Sequence, residues 1–132
     1  MLRFHLATIV VDDYDEAIAF YVGTLGFVLT EDTDLGGGKR WVVVHPDRSG
    51  TGILLAKADG DRQAAAVGAQ AGGRVSFFLY TDDVERDVAA WTARGVRFID
   101  AIRAEEYGKV TVFLDLYGNP WDLIEPPTGM GS

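Results

Sequence analysis

The 132-residue chain contains no cysteine, which excludes a disulfide framework, a thiolate nucleophile and any cysteine-ligated metal centre. No apolar run approaches the ~20 residues needed to cross a bilayer. Met1-Leu2-Arg3-Phe4-His5 passes straight into an alternating apolar stretch, so no secretory leader is read. A soluble cytoplasmic protein with no membrane association is expected. Basic residues are also scarce: 12 Lys and Arg stand against 20 Asp and Glu, a formal charge of -8. The clustered cations that bind phosphate backbones are missing, and nucleic acid is not an expected partner. The only histidines are His5 and His45. His45 precedes Pro46 at a strand end, where an exposed or turn-bonding role is expected, and neither histidine is assigned to catalysis. With no nucleophile-elbow sequence and no Ser-x-x-Lys pattern, an activated serine is not expected either.

What the chain does have is an internal repeat. Leu6-Ala7-Thr8-Ile9-Val10-Val11 ends on Asp12-Asp13 and is followed by Tyr14 to Tyr21 and then Leu25-Gly26-Phe27. Val75-Ser76-Phe77-Phe78-Leu79-Tyr80-Thr81 ends on Asp82-Asp83 and is followed by Val84 to Trp91 and then Arg94-Gly95-Val96. Each copy reads as strand, capped helix, glycine stop and strand. Asp13 with Glu16 and Asp82 with Glu85 supply capping-box signals. Tyr14, Ala17, Ile18, Tyr21 and Leu25 form one helical stripe; Val84, Val88 and Trp91 form the other. Three further strands follow each helix: 27–31, 39–45 and 52–57, then 97–101, 110–116 and 121–125, separated by Gly36-Gly37-Gly38, Pro46-Asp47 and Tyr117-Gly118-Asn119-Pro120.

At 48% hydrophobic and 24% charged residues the chain reads as one globular domain, 1–132. Its first βαβββ module spans 1–57 and its second 74–127. The Ala- and Gly-rich linker 58–73 holds at most a short helical turn, and Gly72-Gly73 is read as a close-packed junction. Each half-sheet has one face for its helix and one left over, which in a chain this small must line a cavity or meet a partner.

The run from Val11 to Tyr21 with Leu25-Gly26-Phe27 resembles the opening signature of the vicinal-oxygen-chelate superfamily of glyoxalases, bleomycin-resistance proteins and extradiol dioxygenases. Leu116-Tyr117-Gly118-Asn119-Pro120-Trp121-Asp122-Leu123-Ile124-Glu125 resembles its closing pattern. The resemblance implies an α+β fold in which two βαβββ modules form a curved mixed sheet around a concave cavity, with helices on the outer face, often completed as a homodimer. It also implies metal ligands at four inward positions, one from the first and one from the last strand of each module. Counting seven residues back from Asp13 and Asp83 arrives at Leu6 and Ser76; His5 misses by one, which in a strand is the opposite face. Ile53-Leu54-Leu55 offers no acid, and only Asp122 keeps a carboxylate. A divalent cation needs about three or more N or O ligands, so no metal or other cofactor is expected.

Alternation places Thr8 and Val10 on the inward face of the first strand, and Ser76, Phe78 and Tyr80 on that of the second module's first strand. With Trp41, with Tyr107 in a segment placed to fold over the mouth, and with Asp122, these give the candidate ligand-binding set Thr8, Trp41, Ser76, Phe78, Tyr80, Tyr107 and Asp122. Asp122 interrupts an apolar strand. Two readings of it stay open: a ligand-contacting acid or general base, or a structural acid paired with Arg40 or Arg103. Asp32, Asp34, Asp47, Asp59 and Asp61 are read as solvated loop residues, and the triple glycine as a hairpin tip. The expected function is binding of a small cationic or aromatic molecule without a metal. The alternatives are a metal-dependent lyase or dioxygenase with non-standard ligands, such as Asp122 with His5 or Glu125, and metal-free acid–base catalysis by Asp122.

Overall fold

Along β1 (Leu6–Val11), Ile9 and Val11 are fully buried while Thr8 is exposed, the period-two pattern of a strand with one face on a core. The computed structural model describes residues 1–128 in two compact units, Met1–Gln70 and Ala71 onward. The last four positions of the expected 1–132 domain lie outside the described residues. In the first unit β1 is followed by α1 (Tyr14–Ile18), a π-helical segment (Ala19–Thr24), β2 (Val28–Gly36), β3 (Lys39–His45), β4 (Gly52–Lys57) and α2 (Asp61–Ala66). The strands form one mixed sheet in the order β1-β4-β3-β2, with β1 parallel to β4 and the other pairs antiparallel.

The second unit repeats this plan with β5 (Phe77–Tyr80), α3 (Val84–Ala93), β6 (Arg97–Phe98), β7 (Arg103–Glu105), β8 (Gly108–Leu114) and β9 (Pro120–Glu125). Its sheet runs β5-β9-β8-β6, with β5 parallel to β9 and β7 also pairing with β8. The fold class is therefore the expected α+β arrangement, carried by two mixed sheets.

Each helix packs an apolar stripe on its own unit's sheet. In the first unit Ala17 and Tyr21 are fully buried, with Tyr14 and Leu25 nearly so. This stripe recurs every four residues from Ala17, and the helix widens to keep it in line: Leu25 N–H donates to Phe20 O at 3.0 Å, a five-residue step. In the second unit Phe113 stacks on Trp121 at 5.7 Å between centroids and meets Trp91 edge-on at 5.2 Å. Such aromatic pairs add about 0.5–1.5 kcal/mol beyond the burial of their area.

Several local expectations are corrected. Asp13 caps α1 through Glu16 N–H at 2.8 Å as expected, but α3 is capped by Asp83, which accepts from Arg86 N–H at 3.0 Å. Asp82 instead pairs with the Arg86 guanidinium at 2.6 Å. Thr81 decides between the two acids: its hydroxyl accepts the Asp83 N–H and donates to Asp87, holding Asp83 extended at the helix entrance. Expected strand 27–31 extends to Gly36, so Asp32 and Asp34 are strand residues; Asp32 pairs with Arg40 at 2.8 Å. Expected strand 97–101 is broken into β6 and β7.

The linker carries α2, and beyond it Gln70 acts as a surrogate strand. Its amide donates to Thr8 O at 2.8 Å and accepts from Val10 N–H at 3.1 Å, covering part of the free edge of β1. Gly72 and Gly73 are not close-packed, since a Cβ on either would meet nothing within 4 Å; both have positive φ, which is what requires glycine there. His45 is not a turn-bonding residue: its Nδ1 is buried without a hydrogen-bond partner, and its ring lies so close to Gly52 that a Cβ there would be 2.6 Å from Nε2.

Candidate functional site

The parallel pairing of β5 with β9 sets Phe78 beside Asp122 and Tyr80 beside Ile124. Because side chains alternate along a strand, all four share one face, opposite to the face of Phe77, Trp121 and Leu123 that packs into the core. Phe78 is 67% and Tyr80 53% exposed, unusual for large aromatic side chains on a strand. Tyr107 joins them from the two-residue turn between β7 and β8. Phe78, Tyr80, Tyr107, Asp122 and Ile124 line a cavity of about 590 Å³. That volume falls in the range of small-molecule sites, roughly 300–1,000 Å³.

The turn is held in place by the first residue of β8. Gly108 has φ of 134°, and a Cβ there would lie 2.2 Å from Glu125 O. Only glycine lets the hairpin approach β9 so closely, and this approach brings the Tyr107 ring to the cavity. On the other side β9 is launched by a built turn. Asp115 accepts from Tyr117 N–H at 3.0 Å and Asn119 N–H at 2.9 Å, and its other oxygen accepts from Asn119 Nδ2 at 2.9 Å. Both residues are buried, and the φ of 95° at Gly118 closes the turn.

Asp122 is 8% exposed, and burial pushes its carboxyl above the ordinary value of 3.8; the nearby Arg103 charge pulls it down and Asp100 pushes it up. It makes no hydrogen bond or ion pair with any described residue. The pairing expected with Arg40 or Arg103 is not formed. Arg40 is held by Asp15 and Asp32, each at 2.8 Å. Arg103 donates to Asp100 at 3.1 Å and Glu105 at 3.0 Å.

Asp100 is the instructive contrast. Burial would raise it as well, but its carboxylate accepts from Val112 N–H at 2.8 Å and the Thr111 hydroxyl at 2.9 Å and pairs with Arg103, which together hold it below the ordinary range. Two acids near one cavity thus differ in partners: one has several and the other has none among the described residues.

Of the seven candidate residues the structure brings together Phe78, Tyr80, Tyr107 and Asp122. Ser76 lies just before β5 on the same alternation; its N–H donates to Pro120 O at 2.8 Å, and its hydroxyl oxygen is buried with no hydrogen-bond partner. Thr8 and Trp41 belong to the first unit. Thr8 is exposed on β1, and Trp41 lines a separate cavity of about 270 Å³ with Tyr14, Leu35, Lys39 and Leu54 among others. Gly108, Asp100 and Asp115 were not read from the sequence as parts of the site. The last had a signal, since it stands one residue before the closing motif.

The chemistry of the inward positions does not fit a divalent cation. Leu6 and Ile53-Leu54-Leu55 are aliphatic, which leaves one hydroxyl at Ser76 and one carboxylate at Asp122. The pairing of Asp122 with Glu125 is not formed on β9, where the two are three residues apart and face opposite sides. Glu125 lies instead with Asp83 and Glu85, whose carboxylate oxygens fall within 4.8 Å of one another. Lys109 Nζ is 3.2 Å from Glu85 and 3.9 Å from Glu125, and Val84 N–H donates to Glu125 at 3.0 Å. An ammonium and a helix N-terminus already answer these charges.

Residues 3–123 match the family model described as Glyoxalase/Bleomycin resistance protein/Dioxygenase superfamily. An uncharacterized protein of Shewanella frigidimarina (strain NCIMB 400) is 50% identical over 123 residues, 92% of this chain and 90% of that protein. Among solved structures, UcmS2 superposes with a TM-score of 0.82 at 27% identity, over 95% of this chain and 98% of that one. TnmS3, an antibiotic binding protein from Streptomyces sp. CB03234, superposes at 0.77 with 30% identity, over 96% and 97%.

Proposed function

The chain belongs to the Glyoxalase/Bleomycin resistance protein/Dioxygenase superfamily, and from that premise we propose that it is a small-molecule-binding protein that holds a planar aromatic or cationic ligand in the cup of its second unit, without a metal. The observation that carries this reading is the exposure of Phe78, Tyr80 and Tyr107 around a cavity of about 590 Å³. Exposed aromatic faces gathered in one concavity supply stacking area at low conformational cost. Similarity to an antibiotic binding protein supports the same class of function. The protein acts as a cytoplasmic homodimer, each chain a single domain of two βαβββ modules, with neither nucleic acid nor membrane as a partner.

A thermal-shift screen of planar aromatic compounds tests the reading. Hits should raise the melting temperature of the wild-type protein and lose that effect in Phe78→Ala. Equal shifts in both proteins would refute the site. Light scattering should give twice the chain mass at micromolar concentration, and a stable monomer would contradict the dimer.

A second reading, a metal-dependent lyase or dioxygenase with non-standard ligands, draws on the Asp83, Glu85 and Glu125 carboxylates. Elemental analysis after loading with divalent metals separates the two: stoichiometric, retained metal lost in Glu125→Gln would replace the first reading by the second.

A further inference from the structure

Asp122 is nine-tenths buried, faces an aromatic cup and has no partner among the described residues, although an arginine is close enough to act on it electrostatically. A carboxylate this deeply set, with water on the cavity side alone and no protein partner, is under-solvated in its ionised form, which disfavours the charge. Arg103 does not serve as counter-ion because Asp100 and Glu105 already occupy its guanidinium. The other titratable groups on the elements packed around Asp122 are Tyr80 on β5, Glu106 and Tyr107 at the hairpin turn, Asp100 and Glu105 beside Arg103, and Lys109 on β8 with Glu125 on β9, which alternate to the opposite face and lie 3.9 Å apart; β8 contributes the apolar Val110, Val112 and Leu114 to the cup face. Apart from Arg103, every ionisable group described on the cup face is an acid or a phenol. Among the described residues the one cation on this face is Arg103, and its guanidinium is already held by Asp100 and Glu105.

Resting on the small-molecule reading above, we propose that Asp122 is the charge-selecting residue of the cup, and that the ligand is an aromatic monocation whose cationic nitrogen is on, or directly attached to, the ring system. The attachment follows from register. Phe78 and Asp122 are direct partners on adjacent strands, so the aromatic face and the carboxylate are about 5 Å apart at the backbone, the spacing of neighbouring strands. A ring stacked on Phe78 presents its own substituent to Asp122. A cation at the end of a long flexible chain would overshoot it. Amidinium-bearing arenes and quaternised heteroaromatic rings have the right form, and Phe78, Tyr80 and Tyr107 can offer their electron-rich faces to the same charge. In this arrangement the ligand, rather than a bound metal, carries the positive charge that the lone carboxylate lacks.

The test is titration calorimetry at neutral pH with 2-naphthamidine and its neutral isostere 2-naphthamide, on the wild-type protein and on Asp122→Asn. The inference expects the amidine to bind at least tenfold more tightly than the amide to the wild type, and Asp122→Asn to bring the two within threefold of each other. Glu106→Gln, an acid at the turn beside Tyr107, should leave the discrimination unchanged. Equal binding of both compounds to the wild type would overturn the charge selection while leaving the aromatic-cup reading standing. Discrimination that survives in Asp122→Asn would overturn the role of Asp122. Failure of both compounds to bind, at concentrations up to the millimolar range, would overturn the cup reading and this inference together.

Discussion

The two halves share one plan and differ in what they place on the face turned away from the helix. In the first, β1 and β4 present Leu6, Thr8, Val10 and Leu54. In the second, the corresponding strands β5 and β9 present Phe78, Tyr80, Asp122 and Ile124. The helix-facing positions, by contrast, are interchangeable: Ile9 pairs with Leu55 as Leu79 pairs with Leu123. The hairpins differ as well. β2 and β3 form one long ladder, whereas the matching region of the second half breaks between Phe98 and Arg103, with Asp100 bound to Thr111 and Val112 inside the break. The short hairpin released by that break carries Tyr107 to the cavity. The repeat builds the scaffold, and departures from the repeat build the site.

This comparison can be broken at the shared core. Leu55→Ala and Leu123→Ala remove equivalent, fully buried side chains, so urea denaturation should show each losing about 2–5 kcal/mol, with the two values close together. A large inequality would mean that the halves are not equivalent in packing. Gly108→Ala tests a feature found in the second half alone. Strain at positive φ and the clash with Glu125 O should together cost about 2–4 kcal/mol. Hydrogen exchange in β7 and β8 should accelerate before exchange in β3 and β4 does. Gln70→Ala tests the first half alone and should cost about 1–2 kcal/mol, because two main-chain groups on β1 lose their partner.

The smallest effect is also the most specific. Asp122 holds its proton to higher pH in the folded than in the unfolded chain, so unfolding releases a proton in the window between 3.8 and the raised folded value, and stability falls as pH rises through that window. Asp122→Asn has no such term. The variant should therefore gain on the wild type between acidic and neutral pH, as read from urea midpoints, whereas Leu54→Asn at the matching position of β4 should show no gain that depends on pH. A constant difference for Asp122→Asn would mean that the carboxylate keeps its ordinary proton affinity in the folded chain.

Much of this was legible because the repeat supplies its own register. Once Asp13 is aligned with Asp83, the strand faces follow from alternation, and with them Phe78, Tyr80 and Asp122 as neighbours on one surface. The cap on α3 is not legible in sequence, because Asp82 and Asp83 both satisfy the spacing rule and the Thr81 hydroxyl distinguishes them. Trp41 was grouped with the second-unit aromatics because hydrophobic pattern records that a residue is half-buried, not which cavity it borders. The break at Asp100 was unreadable, since a strand and a bulged chain of this composition look alike until Thr111 and Val112 are known to lie opposite.

The sequence by itself determined the α+β plan, the repeat and the aliphatic character of Leu6 and Ile53-Leu54-Leu55, because periodicity and residue type are local properties. Only the tertiary structure decided that Asp122 stands without a partner among the described residues while Asp100 has several. Partnership depends on which backbone N–H groups and guanidinium arms arrive from elsewhere in the chain, and no local pattern encodes that.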